Sequence, residues 1–110
     1  MNFAPDIFAG RSAVVTGGAT GIGWYIVRML GGLGANVGIV SRKEENLVRA
    51  SEQFKAEDGI DVAWRTGDVR DPDGIKKAID ELANGNGGLD ILVCNAAGNF
   101  CLLYTSPSPR

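Results

Sequence analysis

The chain has 110 residues and a net charge of −2, with no basic cluster that could track a phosphodiester backbone, so nucleic-acid binding is disfavoured and one domain is the upper bound. No run of about twenty apolar residues is present, so no membrane-spanning helix is expected. Two cysteines do not make a disulfide framework, and the absence of histidine removes His-based metal sites and Ser-His-Asp chemistry.

Residues 1–10 read as a leader in which Phe3, Ile7 and Phe8 dock against a sheet edge and Gly10 ends the segment. A β-branched run, Ala13-Val14-Val15-Thr16, predicts a buried strand over about 12–17. A glycine-rich turn follows, and then Ile22, Ile26, Met29, Leu30 and Leu33 recur at helical spacing over about 21–33. Strand, glycine turn and helix in this order make a pyrophosphate site. Glycines let backbone N–H groups approach the phosphates, and the helix N-terminus adds unpaired N–H groups and a positive dipole end. Gly31, Gly32 and Gly34 stop the helix, with Gly34 as a left-handed cap.

A second strand is predicted over 36–41. Dinucleotide folds that take NAD place an Asp or Glu about twenty residues past the glycine turn, on the ribose 2′-hydroxyl. This chain has Val40-Ser41-Arg42-Lys43 there, with no carboxylate. Arg42 can instead receive a 2′-phosphate in a bidentate, charge-assisted contact, which predicts NADP(H) over NAD(H). Ser41 also fits as the cap of the next helix, with Glu44 completing a Ser-x-x-Glu box. That helix is predicted over about 42–57, with Leu47, Ala50 and Phe54 inward and Gly59 ending it. A third strand over 61–66 leads into Gly67-Asp68-Val69-Arg70-Asp71-Pro72, where Asp71-Pro72 starts a third helix over about 72–84. Ile75, Ala78, Ile79 and Leu82 form its buried face, and residues 89–94 read as the fourth strand. Capping leaves Asp68 unexplained, unless it stabilises its own turn. Four strands alternating with helices predict an α/β fold: a Rossmann-type, doubly wound parallel sheet in the order 3-2-1-4, truncated after four strands. The ligand is then expected across the carboxyl ends of strands 1 and 4.

The spacing Thr16-Gly17-x-x-x-Gly21-x-Gly23 resembles the cofactor loop of the short-chain dehydrogenase/reductase family, and the resemblance covers residues 7–100. It implies cofactor contacts from Gly17, Gly18, Thr20, Gly21, Ile22 and Gly23, beside Ser41 and Arg42. Asp68 and Val69 match the family's Asp-Val pair, which contacts the adenine, the carboxylate reaching its amine. Asn95-Ala96-Ala97-Gly98 matches the Asn-Asn-Ala-Gly segment beside the nicotinamide, with Cys94 in place of the first Asn as a buried small residue. The hexapeptide Asn95 to Phe100 is similar to the 2,4-dienoyl-CoA reductase branch of the family. That likeness implies hydride transfer from NADPH to a conjugated acyl-CoA thioester in unsaturated fatty-acid β-oxidation, in a homo-oligomeric parent. A ketone or trans-2-enoyl-CoA reductase is the alternative.

Cys101 to Arg110 departs from the family, and Pro107 and Pro109 forbid the helix expected there. The segment resembles a translated sequencing adapter, so residues 101–110 are expected to be a non-native tail. The family's catalytic Asn, Ser and Tyr-x-x-x-Lys have no counterparts in the chain, since Ser108 stands where Tyr104 would require Lys. The chain is therefore expected to hold cofactor-binding residues and no catalytic ones, and to be inactive and without the parent's oligomer interface. A nucleotide-binding fragment without chemistry, or a poorly folded one with strand 4 as a raw edge, are the rival readings. With no signal or transit peptide recognisable, the expected location is cytoplasmic, a peroxisomal address on the parent's C-terminus being the alternative.

Overall fold

The computed structural model describes residues 7–17, 21–68, 70–85 and 87–94. Strands β1 (Ser12–Thr16), β2 (Asn36–Ser41), β3 (Val62–Thr66) and β4 (Ile91–Cys94) alternate with helices α1 (Gly21–Gly32), α2 (Glu44–Asp58) and α3 (Pro72–Gly85). The sheet is parallel, as right-handed crossovers between alternating strands and helices imply, and its order β3-β2-β1-β4 is the one expected. Among the described residues, no helix is long and apolar enough to cross a membrane.

β1 is buried along its whole length and separates two cores. On one face Ala13, Val15, Val37 and Ile39 meet Val27 and Leu30 of α1 and Leu47, Ala50 and Phe54 of α2. On the other, Val14 and Val40 meet Ile75, Ala78, Ile79 and Leu82 of α3. Gly38 faces α3, where a Cβ would come within 3.1 Å of Leu82, so the missing side chain is what lets that leucine reach the sheet.

The inward face of α1 differs from the one its apolar spacing suggests. Gly23, Val27 and Leu30 are buried, while Ile22 is 71% exposed and Met29 also faces outward. Gly23, Val27 and Leu30 share one face of the helix at spacings of four and three residues, and Ile22 and Met29 lie off that face. The end of α1 is as expected. Gly34 has φ +97°, its N–H donates to the Gly31 carbonyl at 3.1 Å, and the Ala35 N–H donates to the Leu30 carbonyl at 3.0 Å, which together make a Schellman cap.

Ser41 does not cap α2. It closes β2, paired with Thr66, and Lys43 takes the cap position in extended conformation without a side-chain hydrogen bond. The sheet ladder takes precedence there because the Gly67 N–H reaches the Ser41 carbonyl at 2.9 Å. Gly59, at φ 66°, ends α2, and Asp71 caps α3 through the Gly74 N–H at 3.2 Å. In the leader, Phe8 packs on the core beside α1 and its N–H donates to the Leu33 carbonyl at 2.8 Å, whereas Ile7 is exposed; Phe3 lies outside the described residues. Cys94 is half-buried rather than fully buried.

Phe54 is fully buried and stacks on Trp24 with ring centroids 4.1 Å apart, tying α2 to α1. Phe54→Ala should lower stability by about 3–5 kcal/mol, read as an earlier urea midpoint at unchanged slope. A loss below about 1 kcal/mol would show that this stack is not part of the core.

Candidate functional site

Parallel pairing sets the carboxyl ends of β1, β2 and β3 side by side. The chain leaves β1 and β3 through glycines that do not crowd their neighbours. Gly17 leaves β1 at φ +70°, with its N–H donating to the Val40 carbonyl at 2.8 Å. Gly67 leaves β3 against Val40, whose Cγ1 would lie 2.8 Å from any Cβ there. Gly21 opens α1 at φ +62°, a conformation that a side chain would strain.

These ends enclose a cavity of about 240 Å³ lined by Thr16, Gly17, Val40, Ser41, Arg42, Gly67, Asp68, Arg70 and Ile75. The volume lies below the range of about 300–1,000 Å³ usual for a whole small-molecule site, as suits one end of a longer ligand. Val40 and Ile75 supply apolar walls, and Arg42, Asp68 and Arg70 supply the charge. A second hollow, lined by Arg42, Thr66, Gly67, Asp68, Asp71 and Gly74, adjoins it. A larger groove between α1 and α2 runs from Gly21, at the start of α1, past Trp24 to Gln53 on the helix layer.

Of the residues singled out in the sequence, the cavity brings together Gly17, Ser41, Arg42 and Asp68. Gly21, Ile22 and Gly23 form the first turn of α1, where the exposed Ile22 side chain points to solvent, so this turn can offer a ligand only its backbone N–H groups. Gly18, Thr20, Val69, Asn95, Ala96 and Ala97 lie outside the described residues, as does the tail from Cys101.

Arg70 is the functional candidate that spacing alone missed. Its backbone N–H donates to Asp68 Oδ1 at 2.9 Å, its Nε to both carboxylate oxygens at 3.1 Å, and its Nη2 to Oδ2 at 2.8 Å. Asp68 thus does stabilise its own turn, which the Asp71 N–H closes on the Asp68 carbonyl at 2.8 Å. An Asp-x-Arg triplet directly after a strand-ending glycine was the available signal. The Arg70 side-chain hydrogen bonds, then its backbone N–H, hold the Asp68 carboxyl at about 2 rather than 3.8, with a smaller share from the charge of Arg42. The same pairing pushes the Arg70 guanidinium up.

A carboxyl held below its unfolded-state value favours folding above pH 3.8, and that contribution is lost as pH falls towards about 2. An NMR titration of the Asp68 carboxyl carbon should have its midpoint at about 2, and Arg70→Met should return it towards 3.8. A midpoint that stays put in the variant would show that Arg70 is not what depresses it.

The short chain dehydrogenase family model matches residues 11–106. Glucose 1-dehydrogenase of Gluconobacter oxydans is 36% identical over 94% of this chain and 37% of its own length. The peroxisomal 2,4-dienoyl-CoA reductase of Danio rerio is 37% identical over 96% of this chain and 35% of its own. The structure of L-sorbose reductase from Gluconobacter frateurii, complexed with NADPH and L-sorbose, superposes with a TM-score of 0.74 at 33% identity, over 86% of this chain and 36% of that one. The chain therefore spans little more than a third of the length of these relatives. Glycine turn, strand order and family match agree: the chain belongs to the short-chain dehydrogenase/reductase family.

Proposed function

We propose that this chain is the nucleotide-binding half of an NADP(H)-dependent oxidoreductase. The observation that carries the cofactor preference is Arg42, which follows β2 directly and lines the same cavity as Asp68, where an NAD-type site would hold an acid on the ribose. The fit extends to the glycine turn. Gly17 and Gly21 both take positive φ, and the first four N–H groups of α1 have no partner within the helix. In this reading Gly17, Gly18, Thr20, Gly21, Ile22 and Gly23 receive the pyrophosphate, Arg42 and Ser41 the 2′-phosphate, and Asp68 and Val69 the adenine. Asn95, Ala96 and Ala97 lie along the nicotinamide.

NADPH, when bound, supplies a hydride. The chain's own residues hold and orient the nucleotide, and the groups that polarise the substrate and donate the proton belong to the remainder of the parent protein. Residues 101–110 take no part in this reading. For the substrate we favour a 2,4-dienoyl-CoA in unsaturated fatty-acid β-oxidation, on the hexapeptide Asn95 to Phe100 and the Danio rerio relative. Glucose 1-dehydrogenase, at almost the same identity, favours the second reading, a carbonyl-reducing short-chain enzyme. The parent is proposed as a homo-oligomer in the cytoplasm or peroxisome.

Arg42→Asp should weaken NADPH binding by about 1–3 kcal/mol through loss of a charge-assisted contact, and NADH binding far less. Equal losses for the two cofactors would refute the 2′-phosphate role. For the substrate, extending the gene sequence past the Phe100 codon and assaying the full-length product separates the two readings. NADPH oxidation with a dienoyl-CoA supports the first, and turnover only with ketones or sugars supports the second.

A further inference from the structure

Three ionisable side chains line the strand-end cavity, Arg42, Asp68 and Arg70. The Asp68 carboxylate is half-buried, with 30% of its side chain exposed, and Arg70 is 74% exposed. A carboxylate has about four acceptor positions. Arg70 engages both oxygens through three N–H groups, its backbone N–H, a shared Nε and Nη2, at 2.8–3.1 Å. Both oxygens of Asp68 are thus engaged by Arg70, and Arg42 forms no hydrogen bond or salt bridge among the described residues. Asp71, which lines the adjoining hollow with Arg42, is engaged by the Gly74 N–H.

Charge bookkeeping points the same way. Without Arg70, Arg42 and Asp68 would cancel, and the carboxylate would either capture the Arg42 guanidinium or repel an incoming phosphate. With Arg70 clamped on Asp68, the cavity carries a net positive charge, centred on Arg42.

Resting on the reading of Arg42 as the 2′-phosphate ligand, we propose that Arg70 is a specificity-determining residue: by neutralising and occupying Asp68, it leaves Arg42 free to select 2′-phosphorylated nucleotides. Arg70 acts through Asp68 and does not itself touch the phosphate. The adenine amine must then displace one of the Arg70 N–H contacts to reach Asp68, a cost common to phosphorylated and unphosphorylated nucleotides and so absent from their ratio.

The test is calorimetric titration of the full 110-residue chain with 2′,5′-ADP and with 5′-AMP, at low and high salt. Arg70→Met should cut the preference for 2′,5′-ADP about threefold to fivefold at low salt, as expected for an exposed charge, and high salt should shrink the difference between variant and wild type. Arg70→Lys should keep most of the preference. Adding Asp68→Asn to Arg70→Met should restore the ratio while weakening both ligands, a rescue that a merely structural role for Arg70 would not give. An unchanged ratio in Arg70→Met, beside a wild type that discriminates, overturns this proposal and leaves the role of Arg42 standing. Failure of the double variant to restore the ratio overturns it too. A wild type that binds neither ligand, or does not distinguish them, overturns both readings.

Discussion

The structure depends on the burial of β1 between two parallel neighbours. Every residue from Ser12 to Thr16 is withdrawn from water, so each backbone group of that strand must find its partner in the sheet. β2 supplies one side over five residue pairs and β4 the other over four. The ladder begins where the Ser12 N–H donates to Asp90 Oδ2 at 2.8 Å and the Asp90 N–H donates to the Ser12 carbonyl at 2.9 Å. Side chains then alternate between the α1–α2 face and the α3 face, and neither helix layer can shift without uncovering the strand.

That constraint also makes the site. Parallel strands of similar length bring their carboxyl ends to one edge, and each turn at that edge competes for the same space. Gly17 and Gly67 resolve the crowding, one by a left-handed turn and the other by offering no Cβ to Val40. The hollow that results has an apolar floor and wall from Val40 and Ile75 and a charged rim from Arg42, Asp68 and Arg70. Apolar surface suits the face of a heterocycle and the rim suits its charged substituents, which is why the cofactor reading rests on this edge rather than on the wider α1–α2 groove.

The division of labour proposed for the parent protein follows from how the fold is built. A dinucleotide site needs strand ends, a glycine turn and a helix N-terminus, and one βαβαβ half carries all of them. Substrate recognition and proton transfer need side chains from elsewhere. This chain spans little more than a third of the relatives' length, which agrees with that partition, and their different substrates fit a common nucleotide half joined to divergent remainders.

Element type and order were legible in the sequence because they rest on short-range regularities. β-branched runs gave the strands, the spacing of Leu47, Ala50 and Phe54 gave α2, and Asp71-Pro72 and Gly34 gave a helix start and stop. The parallel sheet followed from alternation, and the strand order from alternation together with the glycine turn of a dinucleotide fold. The role proposed for Arg42 was also read from the linear chain, from the lack of a carboxylate after β2. Tertiary structure decided what depends on neighbours distant in sequence. It kept Ser41 in the sheet rather than at a helix cap, because Thr66 and Gly67 claim its backbone. It turned Ile22 outward and Gly23 inward, because the face shared by Gly23, Val27 and Leu30 is the one that meets the core. And it joined Arg70 to Asp68 beside Arg42, because the charge balance of a cavity is set by which side chains meet there, and one-dimensional spacing does not carry that information.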